Sequence, residues 1–164
     1  MYAAAVIASF DRKWGLKYHD ILTLFVRDIA NPSYQDKYFT VWRHKDFYLG
    51  SSWASGVQQY SGGPITNGRN EESSSEAANA YEGVALFGKV FSKIFEEEGQ
   101  KALQLATERL YYFGRILLSA EIKGTQTFWF VMNPSASESR IYPVQYTPNV
   151  VGNMWNLLID FQTW

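Results

Sequence analysis

The sequence predicts an all-α protein of paired helices joined by long aromatic loops, with little strand. Three observations predict it. Apolar residues recur at three- and four-residue steps over several long segments. Those segments end at Gly, Pro and Asn. The one stretch of strand-like composition, "TFWFVM", directly follows a helical pattern.

The alanine-rich opening, residues 2–10, reads as a helix with Gly15 as its stop. In residues 16–30, "LKYHDILTLFVRDIA", Leu16, Ile21, Leu24, Phe25, Asp28 and Ile29 gather at helical spacing before "NPS" breaks the pattern. Residues 34–70 carry no sustained 3.6-residue period and are studded with aromatics and glycines. A loop of that length is of the functional kind. A third helix is expected over residues 74–95, with Ala77, Ala80, Tyr81, Val84, Phe87, Gly88 and Phe91 on its apolar side. The fourth, residues 101–124, carries Leu103, Ala106, Leu110, Phe113 and Leu117. "PSASESRIYPVQYTPNV" reads as loop, and "VGNMWNLLIDFQTW" as the start of a last helix. Helices in succession with hardly a strand suggest pairs arranged around an axis.

A chain of 164 residues, 46% hydrophobic, has material for one core and little room for a second domain. Fifteen basic residues against 16 acidic ones supply no electrostatic reason to expect nucleic acid or an anionic membrane as partner. Aromatics at 17%, with six Trp, either fill cores or make stacking surfaces. Without cysteine there are no disulfides or thiolate metal sites, and no apolar run reaches the roughly 20 residues that span a bilayer.

Most candidate chemistry fails on context. "GSSWASG" lacks the glycine a nucleophile elbow would need where Ala54 stands. His19 has no partner at metal-ligand spacing, and His44 lies between Arg43 and Lys45, which repel a cation, so no metal is expected. "SGGPITNG" has no P-loop lysine. "NGRNEESSSEAANAY" stands apart. Ser73 with Glu76 makes a capping box, worth about 1 kcal/mol. Glu72, four residues before Glu76, is not needed by that box. Paired carboxylates push one pKa up, which is what acid/base chemistry on a glycoside requires. Trp42, Tyr48, Trp53, Tyr60 and Tyr81 would offer flat faces to sugar rings.

"GRNEESSSEAANAYEGVALFG" resembles the motif of glycoside hydrolase family 81, the endo-1,3-β-glucanases, written close to "KNQESTSEAVNAYYGVALWG". "VRDIANPSYQDKYFTVWRHKDFYLGSSWASG" is similar to the family's "vrDiaNp...D..FP..R.fD...GHSWA.G" segment, and "VVGNMWNLLIDFQTW" to its "vvGi.w...vdy.TWF" segment. The resemblance implies part of an (α/α)6 toroid, accompanied in the family by a β-sandwich, that hydrolyses internal β-1,3-glucosidic bonds with inversion. It implies that Glu72 and Glu76 match the two family glutamates from which the general base comes. Asp46, Tyr48, Trp53, Asn79 and Tyr81 fall in the same motifs as sugar-binding candidates. No cofactor is implied.

Inversion sets acid and base about 6.5–9.5 Å apart across the scissile bond, so two glutamates on one helix do not fill both roles. The resemblance implies an aspartate acid in an "NDHHFHYGYF" motif ahead of the "YAAA" helix. This chain begins at "MYAAAVIASF" and stops at Trp164, where relatives continue, so a single partial domain, 1–164, truncated at both ends is expected. Two departures stand out: Ser51 replaces the family histidine, and Glu71 replaces a glutamine, crowding the acids, which raise one another's pKa.

The expected function is a segment of an endo-1,3-β-glucanase, the alternative a catalytically inactive β-1,3-glucan-binding fragment. Laminarin-type glucan and the missing remainder of its own catalytic domain are the expected partners. A full-length relative is expected outside the cell or in the cell wall.

Overall fold

The computed structural model describes residues 1–48, 50–53, 70–71, 73–130, 141–143, 145, 147, 150 and 154–155, with backbone alone at 70–71 and 154–155. Helices α1 (Tyr2–Phe10), α2 (Arg12–Ala30), α3 (Ser74–Glu97) and α4 (Lys101–Gly124) make up most of it. Among the described residues there are also four two-residue strands, β1 (Lys45–Asp46), β2 (Ser51–Ser52), β3 (Asn70–Glu71) and β4 (Met154–Trp155). The all-α class read from the sequence is thus observed. Two compact units form, Met1–Arg43 with Ser75–Ser119, and His44–Ser74 with Ala120–Trp164.

In the first unit the break after α1 falls at Asp11 rather than at Gly15. Asp11 leaves helical geometry, with φ −126° and ψ 89°, and its carboxylate accepts from the Trp14 amide at 2.9 Å, which makes it the N-cap of α2. Gly15 instead lies buried within α2. A Cβ there would sit 3.0 Å from Ala8 Cβ and 3.4 Å from Ile94 Cδ1. The missing side chain lets α1 and α2 approach.

The buried side of α2 also differs from the expected one. Gly15, Val26 and Ala30 are buried, with Leu16, Leu22 and Ile29 packed beside them, whereas Ile21, Leu24 and Phe25 point outward. Both sides of α2 are apolar, so periodicity alone does not choose between them.

Helices α3 and α4 occupy the expected positions and form an antiparallel pair. Glu97 is the last helical residue of α3. Gln100 N–H then reaches Phe95 O at 2.9 Å and Gly99 N–H reaches Glu96 O at 3.1 Å, the two bonds of a Schellman motif. Gly99 supplies the left-handed conformation it needs, with φ +67°. The contacts of Glu82 with Arg115, Ala85 with Gly114, and Gly88 with Thr107 and Tyr111 run in opposite directions along the two helices. The core lies on this pair and on α1 and α2: Ala5, Ala8, Val26, Tyr81, Val84, Phe87, Phe91, Phe95 and Leu117 are buried together. Each fully buried Phe contributes roughly 1.5–3 kcal/mol. Leu103 and Ala106, expected inward, are exposed, and Thr107 takes the buried place.

In the second unit, β1 pairs antiparallel with β2, Lys45 facing Ser52 and Asp46 facing Ser51. β3 pairs with β4 in the same sense. Met154–Trp155 is therefore strand where a helix was expected, and the rest of that expected helix lies outside the described residues. "TFWFVM", expected to give little strand despite its composition, gives little among the described residues. Thr125–Trp129 continues α4 as a π-helical turn, and Phe130 forms an isolated bridge with Val150. The preceding helix carries these aromatics on before their strand propensity can act; π turns of this kind occur frequently at functional sites.

Candidate functional site

The long loop after α2 is ordered by polar side chains that the sequence motif presents together. Asn31, 4% exposed, donates from Nδ2 to Ser33 O and Phe39 O and accepts the Ser33 amide at Oδ1. Asp36 accepts from Arg27 Nε and Nη2, both at 2.9 Å, and from the amides of Tyr38 and Phe39. The Arg27 hydrogen bonds, then the Tyr38 amide, hold its carboxyl far below the usual aspartate range, and Arg27 is raised in turn. Arg43 pairs with Asp28. Several charged residues of this motif are therefore spent on loop structure.

The hairpin that follows carries three of the sugar-binding candidates. His44 O accepts the Trp53 amide at 2.7 Å, and His44 Nδ1 donates to Trp53 O at 3.1 Å, extending the β1–β2 pairing by one residue. Asp46 closes the turn: its carboxylate accepts the Tyr48 amide and its carbonyl accepts the Gly50 amide, each at 2.9 Å. Gly50 has φ +74°, the conformation glycine adopts without cost. Tyr48, at the turn, is 93% exposed. Trp53 is buried at 8% exposure, which leaves little of its ring open to stack on.

Behind the hairpin lies a cluster that sequence reasoning missed. Lys45 Nζ donates to Glu121 Oε2 at 2.7 Å with both side chains 1% exposed. Ser52 Oγ donates to the same oxygen at 2.7 Å, and Lys45 Nζ reaches Gly50 O at 3.1 Å. The other oxygen, Glu121 Oε1, and the Ser51 hydroxyl are buried with no hydrogen-bond partner among the described residues. Gly124 and Gly50 meet backbone to backbone: a Cβ on Gly124 would strike the Gly50 carbonyl. Lys45 and Glu121 are 76 positions apart, so no local pattern joins them. Removing one member of a buried pair costs about 3–5 kcal/mol, because the other charge is left unpaired.

The first unit holds the remaining candidates on α3. Glu76 is the third residue of the helix, preceded at the cap position by Ser73. Its carboxylate is exposed in the first turn, where the positive end of the helix dipole favours an anion. Asn79, three residues on, is exposed on the same side. Tyr81 is 1% exposed within the core, so it presents no ring face for a sugar. Glu72 lies outside the described residues, as does Tyr60. Trp42, with φ +51°, packs its ring against Phe113 at 5.3 Å. His19 is partly buried against the core, its ring 4.8 Å from Phe95 and 5.1 Å from Phe91.

Comparison with known proteins agrees along the whole chain. The model of the glycosyl hydrolase family 81 C-terminal domain matches residues 1–164. A glucan endo-1,3-beta-D-glucosidase of Glycine max is 30% identical over all of this chain, which spans 22% of that relative. One from Acetivibrio thermocellus is 29% identical over all of it, with 18% of the relative spanned. A solved structure, a mutant of the glycoside hydrolase family 81 protein from Clostridium thermocellum, superposes on 93% of this chain. Its TM-score is 0.68 at 28% identity, and 18% of its own chain is covered. The chain thus spans about a fifth of its relatives' length, and over that span, with its segments in family order, it belongs to glycoside hydrolase family 81.

Proposed function

We propose that the chain is the part of an endo-1,3-β-glucanase that supplies the general base of an inverting hydrolysis. Glu76 and Glu72 are its candidates. One activates the attacking water and the other orients that water or binds sugar. The reading rests on one observation above the others: Glu76 stands exposed in the first turn of α3, on a chain that the family model matches from end to end. The relatives, glucan endo-1,3-beta-D-glucosidases by name, support β-1,3-glucan as the substrate class. In this reading the general acid comes from a residue across the scissile bond, not from a second glutamate four residues away in the sequence.

A second reading is β-1,3-glucan binding without turnover. It is favoured by Ser51, whose hydroxyl is buried where the family motif has a histidine. Laminarin assays on a full-length family relative carrying this 164-residue segment in place of its own separate the two, with retention in affinity electrophoresis and release of reducing ends measured independently. Turnover that Glu76→Gln lowers by about 100-fold or more, with retention kept, supports the base. Retention without turnover supports the binding reading. A chimera that shows neither, where the unmodified relative shows both, sinks both.

A further inference from the structure

The β1–β2 hairpin has a register problem that its own strands do not solve. Each strand is two residues long, and successive side chains in a strand point to opposite faces, so a slip by one residue exchanges the faces. In the observed register Lys45 and Ser52 are cross-strand partners on one face, and Asp46 and Ser51 share the other. Both groups of the first face converge on a single oxygen, Glu121 Oε2, at 2.7 Å each. Were the register to slip, the Asp46 carboxylate would turn toward the Glu121 carboxylate. Like charges in a buried setting repel strongly, so Glu121 both rewards the observed register and opposes the alternative.

Stability alone does not account for this cluster. A buried Lys–Glu pair replaced by well-packed apolar side chains is often as stable or more so. Here one carboxylate oxygen is also left without a partner among the described residues, a further cost. We infer that Glu121 is a positioning residue, a register lock that fixes the β1–β2 hairpin so that Asp46 is held on the face opposite the Lys45–Ser52–Glu121 cluster, next to the turn that carries the exposed Tyr48. Its consequence for ligand binding rests on the glucan reading above. The lock itself does not.

The test compares the wild-type chain, Glu121→Gln, and the combination Lys45→Met, Ser52→Ala, Glu121→Leu, which replaces the polar cluster with apolar groups. Thermal midpoint, hydrogen exchange at the Gly50 and Trp53 amides, and laminarin affinity are read on each. The combined variant is expected to keep a cooperative transition near the wild-type midpoint. Its two hairpin amides should exchange about tenfold faster or more, and its laminarin affinity should fall about tenfold. Unchanged hairpin exchange in the combined variant would overturn the lock, since the cluster would then be packing alone. If that variant does not fold, Glu121→Gln carries the comparison: it keeps the shape and an acceptor but leaves the Lys45 charge unpaired, and it is expected to loosen the same two amides by at least as large a factor, while unaltered exchange overturns the lock. A wild-type chain that binds no laminarin, with the amides loosening as expected, removes the glucan reading and leaves the lock standing.

Discussion

Asp36 shows how one carboxylate can organise a loop. It receives a two-pronged Arg27 guanidinium and two backbone amides, while the same guanidinium lies over the Phe39 ring at 4.7 Å. Because its folded-state pKa is depressed, the group contributes stability that is fully present above its unfolded value and is lost as pH falls toward the folded one. Asp36→Asn is therefore expected to lower the thermal midpoint by an amount that is constant from about pH 8 to 5 and shrinks progressively below about pH 4. Paired melts of wild type and variant across that range check it. A gap that stays flat down to about pH 2 would contradict the depressed carboxyl.

At the scale of elements, the α3–α4 pair depends on two glycines that a helix would otherwise do better without. Gly→Ala in a helix interior ordinarily stabilises by roughly 0.5–1 kcal/mol. At Gly114 the added Cβ would stand 2.5 Å from Ala85 N and 2.8 Å from Ala85 Cα, and at Gly88 it would meet Thr107 O at 2.7 Å. These neighbours are backbone, which yields only if the helices separate. Gly114→Ala is expected to destabilise the chain by about 2 kcal/mol or more, read as a lower urea midpoint. A gain in stability would show that the two helices pack less closely than described.

At the scale of the whole molecule, the outward side of α2 is the feature that composition alone conceals. Tyr18, Ile21, Leu24 and Phe25 recur at helical steps and are 37%, 54%, 44% and 58% exposed. On α1, Phe10 is 89% exposed. Apolar stripes of this kind promote association. The chain is expected to self-associate with rising concentration in sedimentation velocity, and Ile21→Glu with Phe25→Glu to shift it toward monomer with little change in melting. A wild-type chain that sediments as a monomer at every concentration would refute this. The charge balance, 15 basic against 16 acidic residues, supplies little net repulsion to oppose association.

The helices were legible because their signals are local. Apolar steps of three and four residues, a serine before the acidic first turn of α3 and a glycine after its end lie within one or two turns of the residues they govern. The family resemblance was legible for the same reason, being carried by contiguous motifs. What only the tertiary structure decided concerns partners far apart in sequence. Gly15 reads locally as a stop and serves as a spacer because Ala8 and Ile94 come against it. Tyr81 reads both as part of the apolar side of α3 and as an aromatic platform, and its burial in the core decides for the first. Lys45 reads in the sequence only as a charge flanking His44, and it is buried with Glu121, 76 residues on, as its partner. Local free energies select helix, cap and turn, whereas burial is a property of what the folded chain brings alongside. By itself the sequence determined helices α1 to α4 and the family motifs that contain Asp46, Glu72 and Glu76; the tertiary structure decided which apolar side of α2 is buried and which carboxylate holds the hairpin.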